Sequence, residues 1–215
     1  MSKNQNAGMS YIMAVYAALD KYLANEIKDS GVALTCGKGC AVCCYQMISC
    51  TKPEMDEIIL FISRMEKGAR HDLKKQLGQF AEEWEQYYSK NQLSLTQNPF
   101  LFVNDWKGKP CPFLGSDGAC IIYPVRIIDC RTLSSLRKCE TFETSRAQRH
   151  RFACETWANN LILDHQEDRF GYQAVSPLGH WLSICKKRNW QPIRDDELRL
   201  EGGDKSVLRS VRLGR

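Results

Sequence analysis

Four cysteines fall within nine residues in the stretch Cys36-Gly-Lys-Gly-Cys40-Ala-Val-Cys43-Cys44, and no other part of the chain is so biased toward one chemistry. Thiols this dense, with no histidine among them, suit a thiophilic metal or a disulfide framework. The chain has eleven cysteines in 215 residues, an odd number. The apolar run from Tyr11 to Leu23 is broken by Asp20 and Lys21 and has neither a cationic lead nor a small-residue cleavage site, so it does not read as a secretory leader. No apolar stretch approaches the roughly 20 residues of a membrane span. A reducing cytoplasm is therefore the expected compartment, and there clustered cysteines favour metal over disulfides.

A second chemical stretch lies far downstream. Cys111-Pro-Phe-Leu, the turn Gly-Ser-Asp-Gly from Gly115 to Gly118, and Ala-Cys120-Ile-Ile-Tyr123 predict a small β-hairpin with a cysteine near each end. Pro124 can open a short helix, and Cys130-Arg131 follows it. Cys154 and Cys185 fall on apolar stripes and read as small buried hydrophobes. Cys50 has no assigned role.

Taken in order, Cys36-x3-Cys40-x2-Cys43-Cys44, Cys111-Pro112-Phe113-Leu114, Cys120-x-Ile122-Tyr123-x2-Arg126 and Cys130-Arg131 resemble the YkgJ-type cysteine-cluster family, described as a zinc- or iron-chelating domain. The resemblance covers about residues 36 to 139. This chain has Arg126-Ile127 where the family usually has Arg-Pro, a change that removes no ligand. The resemblance implies metal binding by Cys36, Cys40, Cys43, Cys44, Cys111, Cys120 and Cys130, with Cys139 as the eighth ligand and Cys50 as the other candidate for that place. Side chains of adjacent residues such as Cys43 and Cys44 usually diverge, so the pair suits two ions, or two corners of a cluster, better than one tetrahedral ion. Zinc, mononuclear iron and an iron–sulfur cluster all remain open. Four thiolates on a divalent ion leave a net charge of −2, which favours nearby cations and N–H donors, and Lys38, Arg126 and Arg131 lie inside the motifs. The alternative for the arginines is pairing with a surface carboxylate such as Asp129.

The elements that must position these residues are mostly helical. Ile12, Tyr16, Leu19, Leu23 and Ile27 predict a first helix that stops at Ser30-Gly31 and delivers the chain to the cysteine loop. Thr51 and Glu54 form a capping box with Pro53 in the first turn, opening an apolar stripe from Met55 to Met65 that ends at Gly68. Leu73, Leu77, Phe80, Trp84 and Tyr88 make a second helix, expected to pair antiparallel with the first of the two. Residues 91–110 read as a loop with one short strand around Phe102. Ser145 and Gln148 suggest a capping box for a helix carrying Ala147, His150, Cys154, Trp157 and Leu161 on one face. A last helix, begun by Ser176-Pro177 and closed by Lys186, Lys187 and Arg188, carries Leu178, Trp181, Leu182 and Cys185. The expected fold is mainly α with a short β-hairpin, a metal-stapled single globular domain over residues 10–188. Residues 1–9 form a disordered N-terminus and 189–215 a basic polar tail.

Composition excludes some functions. A net charge of +5 with 43% hydrophobic residues falls short of a dedicated nucleic-acid binder. The basic residues of the tail are interrupted by acids, so a zinc-stabilised interaction or nucleic-acid-binding module is an alternative, not the main expectation. The spacing Cys36-x3-Cys40-x2-Cys43 also matches that of radical SAM enzymes. A helix precedes it here instead of a barrel strand, and Cys44 and the downstream cysteines would go unexplained. His71, His150, His165 and His180 stand at no ligand spacing with a cysteine, and no catalytic residue is assigned. Relatives of the resembled domain accompany flagellin lysine methylases, which keeps a component of a methyl-transfer enzyme among the alternatives, beside an iron–sulfur redox protein. The expected partners are a metal ion and an unidentified protein or redox partner, with no membrane.

Overall fold

The computed structural model of the protein describes residues 9–37, 39–98, 101–147 and 149–194. Helix α1 (Tyr11–Ser30) begins at Ser10, whose hydroxyl accepts the Met13 N–H, and ends at Gly31 in the left-handed conformation, φ 65°. Both ends follow from the sequence. An irregular segment with a 3₁₀ turn at Val42–Cys44 leads to strand β1 (Ser49–Thr51) and helix α2 (Lys52–Arg64). The Thr51–Glu54 capping box is present in full.

Helix α3 (Lys67–Gln97) departs from expectation at both ends. Glu66 caps it by accepting the Gly68 and Ala69 N–H groups, so Gly68 lies in the first turn and does not stop α2. At the other end the helix continues past Tyr88 because Leu95 is buried, and residues 91–97 belong to it rather than to a loop. Phe102 lies on a short helix, α4 (Leu101–Asp105), not a strand. Phe102 and the buried Trp106 stand four residues apart, the helical spacing that places both against Trp84.

The chain then forms the cysteine-bearing hairpin, a 3₁₀ turn at Tyr123–Val125, helix α5 (Ile128–Thr132), strand β2 (Ser134–Ser135), helix α6 (Phe142–Ala147) and strand β3 (Arg149–His150). Helix α7 (Ala153–Phe170), strand β4 (Val175–Pro177) and helix α8 (Leu178–Lys187) follow. The expected capping box at Ser145 does not open α7, and Gln148 lies outside the described residues. A carboxylate from another helix caps it instead: Glu26 of α1 accepts the Ala153 N–H at 2.7 Å and the Cys154 N–H at 3.2 Å. Ala147 and His150 therefore precede α7, and its buried face is Cys154, Ala158, Ile162, Leu163, Gln166 and Phe170.

Two antiparallel pairs complete the fold, β1 with β4 in the register Cys50–Ser176, and β2 with β3. The main partner of α3 is α8, not α2. At Gly179 a Cβ would stand 2.7 Å from the Trp84 ring, so only glycine lets these helices approach so closely. One apolar core joins α2, α3, α4 and α8, and a second joins α1, α5 and α7. The chain also packs beyond residue 188. Ile193 is buried and donates its N–H to Asp56, while Trp190 packs on the first core. The rest of the predicted tail, and residues 1–8, lie outside the described residues.

Candidate metal centre

The segments that carry the cysteines are tied together by their backbones. Cys44 accepts the Cys111 N–H at 2.6 Å, and Tyr45 accepts the Gly108 N–H at 3.0 Å, which lays the start of the hairpin on the 3₁₀ turn. The hairpin is short: a single antiparallel bridge joins Leu114 and Cys120, flanked by Gly115 to Ala119 and Ile121 to Phe113 hydrogen bonds. Its turn reaches the first loop, since a Cβ on Gly118 (φ 75°) would stand 3.3 Å from the Gly39 carbonyl oxygen. Thr35 donates its backbone N–H and its hydroxyl to Ser135, drawing the region before Cys139 onto the same loop.

Cys130 is positioned from the helical body. The buried Glu54 accepts hydrogen bonds from the Thr51 N–H and hydroxyl, the Tyr16 hydroxyl and, at 2.9 Å, the Ile128 N–H that opens α5. One carboxylate thus caps α2 and fixes α5. The neighbouring Arg131 pairs with Asp20 at 2.8 Å, stacks on Tyr16 and donates to the Arg126 and Pro124 carbonyls. It anchors α5 to α1, and its carboxylate partner is Asp20, not Asp129.

Seven of the thiols fall into two groups, and Cys44, whose thiol is hydrogen-bonded to that of Cys43, stands beside the first. Cys130 interacts electrostatically with Cys43, Cys111 and Cys120, and Cys111 with Cys43 and Cys120. Burial pushes the Cys111 thiol up to about 12, raises Cys120, and raises Cys130 well above its ordinary value. The hydrogen-bonded Cys44 thiol, followed by burial, pushes Cys43 up. Opposing these effects, the Phe113 N–H donates to the Cys111 sulfur and the Ile122 N–H to the Cys120 sulfur, each donor two residues past its cysteine. Arg126 also favours thiolate at Cys43 and Cys120. Its guanidinium lies over the Tyr123 ring at 4.1 Å, and its Nε is shielded from water without a hydrogen-bond partner. The second group is Cys36, Cys40 and Cys139. Burial raises the Cys36 thiol, the Ser135 N–H at 3.2 Å from its sulfur opposes this, and its electrostatic neighbours are Cys40, Cys139 and Cys43, so Cys43 stands where the two groups adjoin.

The other cysteines sit elsewhere. Cys50 lies in β1, buried, with its carbonyl accepting the Trp181 indole N–H at 2.8 Å and its thiol an electrostatic neighbour of Cys130 and Cys185; Cys154 and Cys185 are buried on their helices. The histidines contact aromatic or acidic side chains, as in the Tyr11–His165 stack. Lys38 is outside the described residues.

Among the described residues, no three Cys, His, Asp or Glu side chains already stand in a geometry that could hold a metal ion, so the thiols must draw together to bind one. The donor set nevertheless fits zinc or iron. It offers soft sulfur ligands, N–H donors aimed at sulfur, and a buried arginine Nε left to face anionic charge. Ser135, Glu54 and Glu26 were not expected from the sequence in these positions. Glu54 was visible as a cap, but its reach to Ile128 depends on tertiary structure, and a backbone donor such as Ser135 leaves no residue-type signal.

A helical domain that gathers thiols from separate segments belongs to the metal-chelating class. The chain is a member of the CxxCxxCC family, described as "Putative zinc- or iron-chelating domain", whose model matches residues 35–155. Comparison with curated proteins and with solved structures finds no match.

Proposed function

We propose that this protein binds zinc or iron through the thiolates of Cys36, Cys40, Cys43, Cys44, Cys111, Cys120, Cys130 and Cys139, and that the metal staples the hairpin and α5 to the first cysteine loop. The observation that carries this is the approach of Cys43, Cys111, Cys120 and Cys130, which come from three separate stretches, beneath the unpartnered Arg126 Nε. Bound metal supplies the positive charge that holds several thiolates together. The protein's own contribution is to present the sulfurs, donate N–H groups to them and place one guanidinium against their excess charge. Because the buried thiols resist ionisation, binding must expel their protons, and affinity falls as pH is lowered.

Protein purified without oxygen tests the proposal by its metal, acid-labile sulfide and free thiols. Colourless protein with zinc supports a structural staple in a cytoplasmic interaction module, and brown protein with iron and sulfide supports an iron–sulfur redox centre. A metal-free chain that stays folded with all eleven thiols free, and takes up neither metal when offered it, overturns the proposal.

A further inference from the structure

We infer that the cysteines form two metal sites of unlike accessibility: an inner, locked site on Cys43, Cys111, Cys120 and Cys130, and an outer, exchangeable site on Cys36, Cys40 and Cys139 that loads and releases a thiophilic divalent cation. The inference rests on the metal-binding proposal and goes beyond it by giving the two sulfur groups different work, with Cys44 staying beside Cys43 on the inner side. Cys36 and Cys40 are exposed, whereas none of the inner four is. The inner sulfurs come from three stretches, of which the first two are fastened to each other by the Cys44–Cys111 backbone bond and the third is fastened to α2 by the Glu54–Ile128 bond. Two of those sulfurs receive N–H donors from the next residue but one, and Arg126 faces two of them.

The outer group is held more lightly. Cys139 lies between β2 and α6, outside regular structure, and its thiol donates to the Arg137 carbonyl two residues away, at 3.8 Å. Cys36 is held by the Ser135 N–H, and Cys40 by a backbone bond from its own N–H to Gly37 within the loop. Exchange of a metal between thiolate ligands begins when an incoming ligand reaches the ion, so solvent access and loosely held sulfurs set the rate. Three thiolates also leave a coordination position that an outside ligand can enter, as tetrahedral sites with an open place do.

The test is zinc release from the full chain, loaded without oxygen, into an excess of a chromogenic chelator. Two phases are expected, the fast one about ten-fold or more above the slow one, on the scale by which surrounding groups tune metal sites. Cys139→Ser should remove the fast phase and leave the slow phase and the helical circular dichroism unchanged. Cys36→Ser, which lacks the N–H···S contact, should do the same and guards against a defect particular to the 139 loop. A single release phase from a zinc-loaded chain, or equal acceleration of both phases by Cys139→Ser, overturns the two-site inference and leaves metal binding standing. A chain that takes up neither zinc nor iron overturns both.

Discussion

Around Trp84, helices α3 and α8 close on each other through apolar side chains, with Gly179 cut back to hydrogen so that the indole fits and Leu77, Leu178, Trp181 and Leu182 filling the surroundings. Across the cysteine-rich face the described chain from Leu34 to Gln46 and from Lys107 to Cys120 has a single fully buried large side chain, Phe113, and is held by isolated backbone bonds between loops. The first region gains stability from area removed from water. The second has ordered many residues for little apolar burial, so it needs bonds of another kind to offset that entropy. Cysteine marks the difference: in the body Cys50 and Cys185 are buried in the apolar core, and on the face the same side chain is exposed or half-buried in loops.

The largest effect expected from breaking this contrast is in the body. Trp84→Ala should cost about 3–5 kcal/mol, the usual range for emptying a buried aromatic site. Because the cavity lies in an apolar core, the loss in a urea titration should be the same with metal bound and after chelation. A penalty that disappeared on chelation would show that the body leans on the metal face and would erase the distinction.

What could be foreseen divides along the same line. Helix α1 was legible from Ile12 to its stop at Gly31, and the α2 cap from Thr51 and Glu54, because periodicity and capping are local. The strand expected at Phe102 failed because its aromatic residues satisfy β propensity in isolation. Their four-residue spacing became decisive only once Trp84 was present as a surface to cover. The α2–α3 pairing failed for a similar reason: nothing near Gly179 in sequence announces that it will face Trp84. On the cysteine face, residue type and spacing single out the thiols as candidate ligands. The proposed division into an inner and an outer group rests on backbone contacts such as Ser135 with Cys36, which no side-chain pattern records.

The two regions should also fail at opposite ends of the pH scale. Cys185 is fully buried and its thiol is pushed up to about 12, first by burial and then by Asp56. An unfolded thiol releases its proton near its ordinary value of 9.0 while the folded one retains it. The folded state therefore holds more protons through that window, and stability falls as pH rises. The contribution is complete below about pH 9 and is lost toward 12; by about pH 11 the loss is at most ~3 kcal/mol, at roughly 1.4 kcal/mol per unit. The difference in urea midpoint between the native chain and Cys185→Ala should shift against the native chain over that range, whereas metal is lost from the face in acid. A difference that stayed flat from neutral pH to about 11 would remove Cys185 as a source of alkaline instability.

The smallest effect is the most specific to the face. Arg126 is the cation placed against Cys43 and Cys120, and the surrounding protein gives its Nε no acceptor. Arg126→Gln keeps a polar side chain but removes the charge, and should weaken metal binding about ten-fold, near 1.4 kcal/mol, at the low end of what such neighbours contribute. Arg126→Lys should recover part of that loss, because the charge returns without the planar group that lies over Tyr123. If Arg126 served only to pack on Tyr123, both substitutions would lower thermal stability equally with and without metal and leave the affinity unchanged. If it compensates the thiolates, the metal-free chain should change little, and rising salt should narrow the gap between Arg126→Lys and Arg126→Gln only slightly, since a shielded charge is poorly screened.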